Sequence, residues 1–131
     1  MNKTRLWLTT AAFTLGVVSA QVPARPHAAT YALDCAAGDC PLLNGAPQTS
    51  GMRGGSVHLK PGESVGWHST HSNEEALVIL HGQGVAHLEG HPDLPLHEHT
   101  LAYIPKNTRH NVTNPGSEAL EYVWLVAPIR N

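Results

Sequence analysis

Histidine is the residue through which this sequence is best equipped to do chemistry. Ten are present, eight of them between His58 and His99, with His27 and His110 outside that stretch. Imidazole ligates transition metals and changes charge near neutral pH, so a dense group points to metal binding, to a pH response, or to neither. His97-Glu98-His99 puts two histidines on one face of an extended segment. It reads as a solvated loop, with an adventitious surface metal site as the alternative. His58, His81, His87 and His91 show no ligand-like spacing to a second group. Thiol chemistry is limited to Cys35 and Cys40. Two thiols do not make the usual four-ligand zinc site, so a disulfide closing a very short loop is the favoured reading.

The elements that must position these groups are strands. From Gly54 onward, short runs rich in Val, Leu and Ile alternate with Gly, Pro and Asn turns. The runs cover 56–60, 64–68, 75–81, 85–89, 100–104, 109–113 and 120–127, and no amphipathic helix of useful length is evident. Seven runs at this spacing predict an all-β sandwich or barrel. Residues 21–52 are rich in Pro, Ala and Gly, lack periodicity, and read as an extended N-terminal arm carrying Cys35 and Cys40. Turns are expected at Asn44-Gly45 and over 48–51.

Residues 1–20 read as a signal peptide. Lys3 and Arg5 precede an apolar run from Leu6 to Val18, and Val18-Ser19-Ala20 forms a small-residue cleavage site before Gln21. The run is too short to span a bilayer comfortably. Export to a bacterial periplasm, or secretion, is therefore expected, in a compartment that favours the disulfide. Losing Lys3 and Arg5 lowers the basic residues from 8 to 6 against 10 acidic ones, leaving a net charge of −4 with histidine neutral. That balance argues against nucleic acid or an anionic membrane as partner of the mature chain.

Two segments carry a more specific signal. Pro61 to Gly82 contains Gly62, five residues, His68, then Glu75, six residues and Gly82. Tyr103 to Asn114 contains Pro105, His110 and Asn114. In that order they resemble the paired motifs of the cupin superfamily, whose first motif has Gly, His-x-His, Glu and Gly, and whose second has Pro-x-Gly, His and Asn. Three positions depart from it. Thr70 stands where the second histidine of motif 1 belongs, with His71 one residue late; Asn107 replaces the Gly after the Pro; His99 replaces the Gly opening motif 2.

The resemblance implies a jelly-roll (double-stranded β-helix) barrel of six to eight strands over residues 53–131, commonly a homodimer. It also implies a divalent transition metal (Fe, Mn, Ni, Cu or Zn) held by His68, Glu75 and His110, with His71 as a further candidate. Side chains two apart on a strand share a face, so position 70 accompanies His68 into the barrel, whereas His71 needs a bulge or turn. Glu74 replaces Glu75 if the turn shifts the register, and is a candidate proton shuttle if it lines the pocket. Asn111 or Asn114 is a candidate to orient His110, Asn114 equally to cap a turn. Trp67, Tyr103, Tyr122 and Trp124 read as core or pocket walls. The functions implied are a metal-dependent enzyme, dioxygenase- or isomerase-like, acting on a small organic molecule, or a non-catalytic module binding a small ligand or metal. A metal-storage role is a weaker third possibility.

Overall fold

A computed structural model of the protein describes residues 25–129, so the expected signal peptide lies outside the described residues. The described chain forms nine strands and no helix: β1 (Gly38–Asn44), β2 (Arg53–Leu59), β3 (His68–Ser69), β4 (Asn73–His81), β5 (Gln83–Leu88), β6 (Leu94–His97), β7 (Leu101–Ile104), β8 (Arg109–Thr113) and β9 (Leu120–Pro128). They build a five-stranded sheet in the order β1-β2-β9-β4-β7 and a four-stranded sheet in the order β3-β8-β5-β6. All pairs are antiparallel. This is the jelly-roll barrel expected of the sequence, with one strand more than the expected upper bound.

The strand inventory differs from the sequence reading in three places. Strand β1 lies inside the segment read as an arm, and β6 falls in a stretch read as loop. Each contains a proline, Pro41 or Pro95, and each sits at a sheet edge, where a missing N–H costs no ladder bond. The run at 64–68 contributes only an isolated bridge, Ser64 to Thr113, before the two-residue β3. Residues 25–36 remain extended without a strand partner, and Tyr31 accepts a 2.9 Å hydrogen bond from Gln48 Nε2. Cys35 and Cys40 form the expected disulfide at the foot of β1.

Alternation along the strands decides what the interior sees. In β4 the buried positions are Glu75, Leu77 and Ile79, so Glu75 shares the inner face and Glu74 faces out. Leu59, Leu77, Ile79, Leu96, Ile104 and Leu120 are almost fully buried between the sheets. Each such side chain contributes about 1.5–3 kcal/mol of transfer free energy. The core thus fills one end of the barrel and leaves the other, where His68, Glu75 and Arg53 lie, as a cavity.

Close approach of β1 to this wall depends on Gly55. A Cβ there would lie 2.5 Å from the Cys40 carbonyl oxygen and 3.0 Å from Trp124 Nε1. Backbone cannot yield cheaply, so Gly55→Ala is expected to lower stability by about 1–3 kcal/mol in urea unfolding. Unchanged stability would show that β1 is not seated here.

Candidate metal centre

His68 and His110 stand directly opposite each other on β3 and β8, their rings 4.1 Å apart and inclined at 60°. Glu75 approaches from β4 in the other sheet, so the two imidazoles and the carboxylate close the gap between sheets. One donor atom from each of His68, Glu75 and His110 lies within 4.8 Å of the others, the sole such group among the described residues. His110 is fully buried, Glu75 nearly so, and His68 is exposed at the mouth.

Hydrogen bonding fixes the tautomers. His68 Nδ1 lies 2.9 Å from the Gly66 carbonyl and His110 Nδ1 lies 3.3 Å from the Thr108 carbonyl. A carbonyl only accepts, so each Nδ1 carries a proton, and a ring with that one proton presents its lone pair on Nε2. His110 Nε2 is 3.3 Å from Glu75 Oε2, yet the pair lacks hydrogen-bond geometry, and among the described residues Nε2 has no hydrogen-bond partner. Two buried acceptors facing each other are costly until a proton or a metal ion lies between them. Their separation suits two ligands of one ion with bonds of about 2.0–2.2 Å. The residues present therefore fit a divalent transition metal, and an Nδ1–H bonded to a backbone carbonyl is how metal-ligating imidazoles are oriented.

Thr70 takes a different part from the histidine it replaces. It leaves β3 buried, and its hydroxyl donates to the Pro105 carbonyl at 2.8 Å while accepting from Thr108 N at 3.0 Å. Thr70 N also donates to the Thr108 carbonyl, the group that receives His110 Nδ1–H. Thr70 thus ties the first motif to the loop that aims His110. His71 occupies a left-handed turn, with φ of 49°, and lines the exposed side of the cavity outside the three-residue cluster. The turn at 70–72 overcomes its strand parity but leaves it on the rim.

The remaining expectations sort by face. Glu74 accepts a 3.0 Å hydrogen bond from Tyr103 on the outside of the barrel, so neither is placed to serve the cavity. That bond, burial and the Glu74 charge together push the Tyr103 phenol up. Trp67 is exposed, with the Arg109 guanidinium 5.0 Å above its ring, and is not a pocket wall. Tyr122 and Trp124 do line the cavity. Burial, and then the charges of Glu75 and Asp39, push the Tyr122 phenol far up, so it acts there as a hydroxyl and not as a phenolate. Asn114 caps a turn: its Nδ2 donates to the Leu59 and Glu118 carbonyls and its Oδ1 accepts from Gly116 N. Neither it nor Asn111 bonds the His110 ring. His97 ends β6, and Glu98 and His99 form the exposed turn after it, in which Glu98 pairs with His81 at 3.3 Å and His99 at 3.5 Å.

The cavity measures about 310 Å³ and adds two charged residues that the sequence reading did not single out, Asp39 and Arg53. Asp39 accepts a 2.7 Å hydrogen bond from Trp124 Nε1. The signal available in the sequence was parity alone: Arg53 lies four residues before the core residue Val57, hence on its face.

A two-sheet antiparallel barrel with two imidazoles and a carboxylate converging at its open end defines a small barrel protein with a pocket whose side chains could hold a metal. The family model for the cupin domain matches residues 55–126, and the chain belongs to the cupin family. An oxalate-binding protein from Thermotoga maritima is 32% identical over 70 residues, which is 53% of this chain and 57% of that protein. The match therefore spans little more than half of that relative's length. A crystal structure from Bacillus halodurans superposes with a TM-score of 0.63 at 20% identity, covering 75% of each chain. A cupin 2 conserved barrel domain protein from Salinispora arenicola gives 0.59 at 24% identity, covering 74% of this chain and 80% of that one.

Thr70→Val strands the buried Thr108 N–H and frees the loop behind His110. Stability is expected to fall by about 1–3 kcal/mol and metal affinity by about 10–100-fold, with Thr70→Ser recovering most of both. Chelator competition that shows wild-type affinity in Thr70→Val would remove Thr70 from this role.

Proposed function

We propose that this protein is an exported metal-binding cupin and a metal-dependent enzyme, dioxygenase- or isomerase-like, whose substrate is a small organic molecule. The observation that carries the reading is the buried His110 Nε2, without a hydrogen-bond partner and 3.3 Å from the Glu75 carboxylate. Two imidazoles and one carboxylate that leave coordination positions open suit Fe, Mn, Ni, Cu or Zn, and resemble the ligand set of non-haem iron oxygenases. When bound, such an ion supplies Lewis acidity toward a substrate oxygen, or a place for dioxygen.

The chain's own residues perform the remaining tasks. His68 and His110 present Nε2 lone pairs because backbone carbonyls hold their Nδ1 protons. Val57, Val65, Val112 and Val126 give the cavity apolar walls, which limit water around a bound molecule. Tyr122 offers a hydroxyl that keeps its proton at neutral pH. Export to a periplasm or beyond is part of the proposal, supported by the Cys35–Cys40 disulfide, since such bonds persist in oxidising compartments.

A second reading is a module that binds a small ligand without turning it over. The name of the Thermotoga maritima relative, an oxalate-binding protein, favours it. The test common to both is elemental mass spectrometry, with intact mass, on untagged protein from the exported fraction. About one equivalent of a single transition metal per chain starting at Gln21 is expected, with His110→Ala folded and metal-free. Substoichiometric metal that dialyses away would turn the assignment to the metal-free binding module.

A further inference from the structure

Arg53 places a positive charge at the open end of the cavity, where no described acidic side chain pairs with it. Among the described residues it has no ion pair and no hydrogen-bond partner for its guanidinium, in contrast to Arg109, which is paired with Glu89 and stacked on Trp67. The other charged groups on the cavity wall are Glu75, which faces His110, and Asp39, whose Oδ1 is occupied by Trp124. With a divalent ion in place, the ion and Arg53 outweigh the two carboxylates by one positive charge.

Sheet register fixes where that charge lies relative to the metal ligands. Arg53 is paired with Val126, and Val126 with Glu75, so the three form one row across β2, β9 and β4 on the inner face. Strands are about 4.8 Å apart, which sets Arg53 and Glu75 roughly 10 Å apart at the backbone. Between them is only the small side chain of Val126, with Trp124 one row below. The floor joining cation and metal ligands is therefore apolar and short, long enough for a few carbon atoms.

Guanidinium recognises a carboxylate through two parallel N–H···O bonds, a geometry that a lysine or a bare metal ion does not reproduce. We infer that the cavity selects a small organic carboxylate, held at one end by Arg53 while a second oxygen function reaches the ion between His68, Glu75 and His110. Arg53 is thus the specificity-determining residue. This inference rests on the metal-centred reading above and adds the substrate class to it.

The test uses full-length exported protein loaded with cobalt(II), titrated calorimetrically with oxalate, malonate, succinate and glutarate, and separately with azide. Wild type is expected to bind at least one of the diacids, with Arg53→Gln weakening that binding by about tenfold or more and Arg53→Lys recovering only part. Cobalt stoichiometry and azide binding, followed by the visible spectrum of the ion, should be unchanged in both variants. Equal diacid affinity in wild type and Arg53→Gln overturns the inference, as does a cobalt-loaded wild type that binds none of the four. Wild type that fails to hold cobalt sinks the metal-centred reading itself, an outcome distinct from either.

Discussion

One contact organises this molecule: the buried His110 Nε2 and the Glu75 carboxylate oxygen, 3.3 Å apart and without a hydrogen bond between them. Burying an acceptor against an acceptor has no return in a folded chain unless something positive joins them. The two residues come from different sheets, so the contact also stands where the barrel opens. A metal ion there would fasten the sheets together at the open end of the barrel.

Holding the pair requires constraints from several sides. The imidazoles are oriented by backbone carbonyls, and the carbonyl behind His110 is itself held by Thr70. The family's second histidine in motif 1 is thus replaced by a residue that holds the loop behind His110. The other two departures are conformational. His99 and Asn107 stand where the family has glycine, and both adopt positive φ, 62° and 57°. Asn and His are among the non-glycine residues that enter this region most readily, so the turns survive the loss of glycine.

Much of this is legible in the sequence. The spacing of Gly62, His68, Glu75, Gly82, Pro105 and His110 named the fold and three ligand candidates, and alternation along β4 selects Glu75 over Glu74. What stayed hidden has physical causes. Pro41 and Pro95 mask two edge strands, since proline reads as a breaker unless the unpaired side of a strand is known. Local parity cannot tell that His71 turns onto the rim, because the turn is set by Asn107 N bonding its carbonyl across the motifs. Arg53 was unreadable as a site residue because its meaning comes from β9, which sets it in register with Glu75 from far along the chain. Trp67 and Tyr103 misled through their type: large aromatics suggest a core, yet both pack on the outer surface against charged neighbours.

The central claim is that two imidazoles and one carboxylate, and not a third histidine, hold the ion. X-ray absorption fine structure of the cobalt-loaded protein counts imidazole ligands directly. Two imidazoles are predicted in wild type and in His71→Ala alike, falling to one in His68→Ala. Three imidazoles in wild type that fall to two in His71→Ala would contradict the account, as would a cobalt ion with no imidazole in its coordination sphere.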